Sequence, residues 1–124
     1  MRAQTSTEAE IEREAYRLPI PALVNQFVQL SGVFVVGTVG GVKDERSVRH
    51  WMTGERHPER EAQLRFAFRI ARMIAESCSP RVVQSWFKGS NMSLGDRAPA
   101  TLLHDDFSEE TQRAILNAAR GLAQ

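Results

Sequence analysis

FVVGTVGGVKDERSVRHWMTGERHP, residues 34–58, is the stretch on which the reading of the whole chain turns. Asp44 is a helix N-cap by residue type, Glu45 suits the first turn of a helix, and Gly54 is a stop. Within that helix Val48 and Trp51, with Val42 just before it, share one side and would fix it against a core. Lys43, Arg46, Ser47, Arg49 and His50 are left to face outward. Upstream, Val33 to Gly41 is rich in β-branched residues, which favour a strand by propensity, but the surrounding pattern makes it a helix. Gly37 would let the two helices approach closely, and Gly41 would supply the positive φ of a tight turn. Two short helices joined by a glycine turn, the second with a polar face free, is the layout that presents a helix to a DNA major groove.

Working outward, the remaining segments read as helices of similar length. Thr7 followed by Glu10 is a capping box, opening a polar helix that Pro19 ends after about Arg17. A second helix starts near Pro21 and buries Leu23, Val24, Phe27, Val28 and Leu30 before Gly32. Beyond the Pro58 turn, Leu64, Ala67, Phe68, Ala71, Ile74 and Cys78 recur at helical spacing and mark the central core helix. Ser79-Pro80 opens another, with Val82, Val83, Trp86 and Phe87 inward and Gly89 at its end. A short helical turn spans Pro99 to Leu103, and Ser108 caps a last helix carrying Ile115, Leu116, Ala119 and Leu122. The expected fold is therefore all-α, a compact bundle of about seven short helices containing a helix-turn-helix.

Composition narrows the function classes. The 124 residues, 42% hydrophobic and 25% charged, are those of an ordinary soluble globular protein. The longest apolar run, Val33 to Val36, is too short to span a bilayer, so no membrane is expected as a partner. Glu8, Glu10, Glu12 and Glu14 stand where a signal peptide needs a basic and then an apolar segment, and a single cysteine, Cys78, forms no intramolecular disulfide. Both point to a cytoplasmic setting. Charge is unevenly spread. Residues 43–72 hold eight Lys/Arg against five Asp/Glu, and residues 90–124 hold three Arg against five acids. A basic middle and an acidic tail suit one face for a polyanion and another for a different partner.

Double-stranded DNA is the polyanion that the helix-turn-helix predicts. Arg matches a guanine edge, so Arg46 and Arg49 are the candidates for base reading, while Arg56 and His57, just past the helix, are placed for phosphates. No catalytic or metal site is expected, and no cofactor. His50, His57 and His104 share no ligand spacing with one another or with Cys78, and Gly37, Gly40 and Gly41 lack the lysine of a phosphate loop. Asp105 and Asp106 beside His104 are read as partners of a helix N-terminus, on the ground that neighbours along a chain point apart.

Two resemblances add to this. Ser47-Val48-Arg49-His50-Trp51-x-x-Gly54-Glu55-Arg56-x-Pro58 resembles the recognition helix and following turn of Xre-type helix-turn-helix proteins, although Gly41 to Val48 is one residue longer than the commonest spacing. Trp86-Phe87-Lys88-Gly89-Ser90-Asn91-Met92-Ser93-Leu94-Gly95-Asp96-Arg97-Ala98-Pro99, with Leu102-Leu103 and Ala118-Ala119-Arg120, is similar to the toxin-binding domain of the MbcA/ParS/Xre antitoxin family. The resemblance implies an antitoxin that binds operator DNA and neutralises a RES-domain, NAD-degrading toxin. The alternative is an orphan helix-turn-helix regulator or phage repressor with no toxin partner. It divides the chain into an N-terminal polar helix (1–18), a helix-turn-helix DNA-binding region (19–59) and a toxin-binding and oligomerisation region (60–124). Within the last, Arg113, Leu116, Asn117 and Arg120 are the expected toxin contacts, beside an Ile115/Leu116/Leu122 stripe, and a homodimer is expected because helix-turn-helix proteins match palindromic half-sites.

Overall fold

Eight α-helices follow one another along the chain in the computed structural model, which describes residues 6–123. They are α1 (Glu8–Arg17), α2 (Ile20–Ser31), α3 (Val33–Gly40), α4 (Glu45–Thr53), α5 (Glu61–Ala75), α6 (Pro80–Lys88), α7 (Pro99–Asp105) and α8 (Glu109–Ala123), with one 3-10 turn at Met92–Leu94. Among the described residues there is no strand, only an isolated bridge between Asn91 and Arg97. None of these helices is long and apolar enough to cross a membrane. The all-α expectation holds, with eight helices in place of about seven. Residues 1–5 of the expected N-terminal unit, and Gln124, lie outside the described residues.

The valine-rich segment is α3, and the reason is backbone satisfaction. A strand needs a partner, and no neighbouring segment repeats with period two. A helix satisfies its own amides between two glycines at positive φ, Gly32 (86°) and Gly41 (82°). Its valines 35, 36 and 39 are then fully buried.

The core is one continuous cluster that draws on α1 through α8. At its centre the Phe27 ring of α2 stands edge-on to Phe68 of α5 (centroids 6.3 Å apart) and to Phe87 of α6 (6.0 Å). Burying one such ring is worth about 1.5–3 kcal/mol, and each edge-to-face pair adds about 0.5–1.5 kcal/mol. Helix α2 thus packs on α4 on one side and on α5 and α6 on another, while α7 lies against α3. Residues 19–59 and 60–124 share this interior.

The N-terminal helix is attached differently. Thr7 Oγ1 accepts from the Glu10 amide (3.1 Å) and Glu10 Oε1 from the Thr7 amide (2.9 Å), completing the capping box. Only Ile11 and Ala15 of α1 are buried, and arginines do the rest. Arg65 of α5 donates to the carbonyls of Ala15 (3.0 Å) and Leu18 (2.7 Å) at the negative end of α1. Arg69 pairs with Glu12 (3.3 Å), Arg72 with Glu14, and Arg120 of α8 with Glu8 (2.8 Å).

Three packing expectations are corrected. Gly37 is not the close-approach glycine: a Cβ there would meet only ordinary contacts, 3.4 Å from the Val42 carbonyl and 3.6 Å from Val48 Cγ2. That role belongs to Gly40, where a Cβ would lie 2.5 Å from Cη2 of the Trp51 indole. Val82 is exposed and Trp86 half-buried, because only Val83 and Phe87 of α6 point at Phe27 and its surroundings. Val28, Leu30 and Cys78 are likewise half-buried at the edge of the core.

Two outcomes follow. Gly40→Ala should destabilise the chain by about 1–3 kcal/mol in urea unfolding, since the indole and the helix that carries it must shift to admit the methyl, whereas Gly37→Ala should be neutral or stabilising by up to about 1 kcal/mol. The Glu8 carboxyl is held below its ordinary 4.5 by the hydrogen bond from Arg120, and Glu10 by the backbone amide of Thr7. Depressed carboxyls contribute stability above their unfolded value and lose it as pH falls through the folded one, so amides of α1 should lose protection before those of α5 as pH drops from about 6 to about 3, followed by NMR.

Candidate functional site

Helix α4 is held from both ends and from beneath. At the turn, Gly41 is left-handed (φ 82°, ψ 21°) and the Val42 amide donates to the Gly37 carbonyl at 2.9 Å, closing α3. Asp44 Oδ1 accepts from the Ser47 amide at 2.8 Å and Oδ2 from its hydroxyl at 3.2 Å; these bonds hold the Asp44 carboxyl below its ordinary range. Gly54, left-handed at φ 83°, ends the helix. Underneath, Val48 and Trp51 are buried, and Asn25 of α2 donates from Nδ2 to the Met52 carbonyl (2.9 Å) and the Pro21 carbonyl (2.7 Å), tying α4 to α2. Asn25 was not anticipated. An Asn in mid-helix beside a proline was the available signal, because its amide can reach carbonyls that a helix end leaves free.

The predicted outward residues differ in exposure and in how they are engaged. Lys43, Arg46, Arg49, Arg56 and His57 are exposed, and Ser47 and His50 half-buried. Arg49 is engaged by Glu45 one turn earlier (2.9 Å), His50 lies 3.4 Å from Glu55, and His57 lies 2.7 Å from Glu61. The Glu61 carboxyl, which also accepts from Arg65, is held low first by that guanidinium and then by His57. Ser47 is occupied by the Asp44 cap. Lys43, Arg46 and Arg56 have no carboxylate within ion-pair distance among the described residues. Of these, Arg46 lies on α4 nearly opposite the buried Val48 and Trp51, on the helix's outer face.

Arg60 was missed by sequence reasoning. Its guanidinium crosses the α3–α4 turn, so that a Cβ on Gly41 would lie 2.8 Å from Arg60 Nε, and Nη1 donates to the His104 carbonyl at 2.7 Å. The turn beneath α4 is thereby clamped to the last turn of α7, at the carbonyl end where a cation is favoured.

The four residues expected to meet a toxin are less uniform. Arg113, Asn117 and Arg120 are exposed on one side of α8, and Leu116 is half-buried against the core. Ile115 is fully buried and belongs to the core, while Leu122 is exposed. Arg120 is engaged by Glu8 through Nε (3.1 Å to both carboxylate oxygens) and Nη2 (2.8 Å). The motif between α6 and α7 builds its own turn. Asn91 Oδ1 accepts from the Ser93 amide (2.9 Å), the Asn91 backbone N–H donates to the Arg97 carbonyl (3.2 Å), and Leu94, Pro99 and Leu103 are buried. The Arg97 side chain pairs with Asp105.

His104 and Asp105 correct another expectation. Though adjacent in sequence they meet, Nδ1 to Oδ1 at 2.8 Å, and the Asp105 carboxyl is held low by His104 and by Arg97. Asp106 accepts from the Ser108 amide (2.9 Å) and from the Thr111 hydroxyl, as a residue at a helix N-terminus should. No group of three His, Cys, Asp or Glu side chains is arranged to hold a metal among the described residues.

No family model matches the chain, and no solved structure does. Over 70 residues, 56% of its length, the chain is 33% identical to a protein of Mycobacterium tuberculosis (strain ATCC 25618 / H37Rv) named "Probable mycobacterial cidal antitoxin", and it spans 61% of that protein's length.

Proposed function

We propose that the chain is the antitoxin of a toxin–antitoxin pair, a cytoplasmic homodimer that binds operator DNA through the α3–α4 helix-turn-helix and neutralises a RES-domain, NAD-degrading toxin through α8. The antitoxin reading is supported by the likeness to a protein named as one, and the RES-domain toxin by the resemblance of residues 86–120 to the toxin-binding domain of the MbcA/ParS/Xre family. The DNA reading is carried by one observation: α4 is pinned by Val48, Trp51 and Asn25 while Arg46, Lys43 and Arg56 are exposed and, among the described residues, without carboxylate partners.

The charges of α4 also indicate how DNA would lie on it. Asp44 and Glu45 occupy its N-terminus, so a phosphate is disfavoured there in spite of the helix dipole. Phosphate neutralisation therefore falls to Lys43 and Arg56 on either side of the helix, and base contact to Arg46 from its outer face. Arg49 reads a base only by leaving Glu45, and His57 and Glu61 are similarly engaged. On the toxin side, Arg113 and Asn117 are exposed and can make contact, Asn117 Oδ1 accepting a long bond from Arg120 Nη1 (3.5 Å). Arg120 reaches a partner only when Glu8 lets it go.

Binding to the promoter of its own gene should weaken steeply with salt in a gel-shift titration, because each neutralised phosphate contributes about −0.9 to the slope of log K against log salt. Lys43→Ala and Arg56→Ala should each flatten that slope by about one unit and weaken all sequences alike, while Arg46→Ala should cost about 1–3 kcal/mol at the operator and relax specificity. Arg49→Ala should cost less than Arg46→Ala. A salt-independent interaction would remove DNA as the ligand. For the toxin, a RES-domain enzyme from the adjoining reading frame should co-purify with the chain and lose at least about tenfold in affinity with Arg113→Glu, as expected for a charge-assisted contact; an unchanged affinity would move the toxin surface off α8.

A further inference from the structure

By composition α1 is an acidic helix, with Glu8, Glu10, Glu12 and Glu14 against Arg13 and Arg17. Folding reverses the sign of the face it shows. Glu8 is engaged by Arg120 of α8 (2.8 Å), Glu12 and Glu14 by Arg69 and Arg72 of α5, and Glu10 closes the capping box on the Thr7 amide (2.9 Å). Ile11 and Ala15 are buried, so the opposite side of the helix belongs to Arg13, Tyr16 and Arg17, all exposed, Tyr16 by 51%. Neither arginine has a carboxylate within ion-pair distance among the described residues.

The chemistry of this face is that of a polyanion site. Arg13 lies three residues before Tyr16 and four before Arg17, which places both about 5–6 Å from it at Cβ. Like charges at that spacing repel, a cost that an anion lying between them removes. Nor is Arg17 needed to serve the end of its own helix, because the carbonyls of Ala15 and Leu18 already accept from Arg65 (3.0 and 2.7 Å). The Tyr16 hydroxyl adds a donor suited to a phosphate oxygen. The three side chains line a shallow open depression with Ala9 and Glu12, whose carboxylate is held by Arg69.

Its position selects the polyanion. Arg65, which holds the Leu18 carbonyl, also donates to Glu61 (2.7 Å), and Glu61 meets His57 (2.7 Å). Only two side chains therefore separate the carboxyl end of α1 from the turn that follows α4. The start of α2 closes the same gap from another side: a Cβ on Gly54, where α4 stops, would lie 3.5 Å from Pro21 Cγ. We propose that Arg13, Tyr16 and Arg17 form a second phosphate-binding surface, on which the duplex bound by α4 continues past Arg56 and along α1. Its ligand is the phosphodiester backbone, contacted without regard to base sequence. The proposal rests on the DNA reading of α4 and enlarges its footprint beyond the stretch that α4 itself covers.

The test compares the full-length chain with a double variant, Arg13→Ala and Arg17→Ala, in salt titrations on the promoter duplex and on an unrelated duplex of the same length. Alanine keeps the helix, so circular dichroism should be unchanged. The slope of log K against log salt should flatten by about two units, about 0.9 for each phosphate released, and affinity at about 0.1 M salt should fall at least about tenfold on both duplexes alike. A variant with the slope and affinity of the unaltered chain, or a loss confined to the promoter duplex, would overturn the proposal while leaving the α4 reading in place. An unaltered chain that binds neither duplex would overturn both. Should the double variant melt earlier, Arg13→Lys with Arg17→Lys decides the matter: retention of charge should restore the slope, and a slope that stays flat with the fold intact assigns these arginines no phosphate.

Discussion

The indole of Trp51 rests on the bare backbone of Gly40, with Leu64 beyond it, and the arrangement of α3, α4 and α5 depends on that seat. A side chain of any size at position 40 would push α4 away from α3. The α3–α4 turn would then no longer sit under Arg60, and Asn25 would lose its reach to the Met52 carbonyl. The outward stance of Arg46 is thus a consequence of an apolar contact on the far side of the same helix. A polar surface is oriented here by what lies beneath it, and the contact that does so contains no charge at all.

Elements set by local chemistry were legible from the chain alone. The capping box at Thr7 and Glu10, the Asp44 cap, the left-handed Gly41 and Gly54, and the proline-opened α6 and α7 each depend on residues within a few positions of one another. The same holds for the burial of Val48 and Trp51. Less legible was α3, whose valines argue for a strand until one asks what it would pair with.

What escaped depends on distance. Arg65, Arg69 and Arg72 read as the polar edge of an amphipathic helix, and nothing local says that their partners lie on α1, about fifty residues earlier. Arg60 likewise finds its acceptor 44 residues away, on a backbone carbonyl that has no signature in sequence. Exposure within α6 was misjudged for a related reason. Val82 and Trp86 have the right residue type for an interior, but the ring of Phe27 admits only the side of α6 that carries Val83 and Phe87. At the carboxyl half the motif of residues 86–103 was legible as a pattern, and the structure gives most of its residues work inside the fold: Asn91 shapes a turn, Leu94 and Leu103 fill the core, and Arg97 is paired with Asp105. The exposed members of α8 stand out by contrast.

Phe27 has a consequence for modularity. It is carried by the helix that supports α4, yet both of its aromatic neighbours, Phe68 and Phe87, come from the other half of the chain. A transplant of α2 through α4 onto a foreign scaffold would take with it a ring shaped for company left behind. The presenting helix is inherited together with the body that carries it, and evolution or engineering can exchange it only as part of the whole.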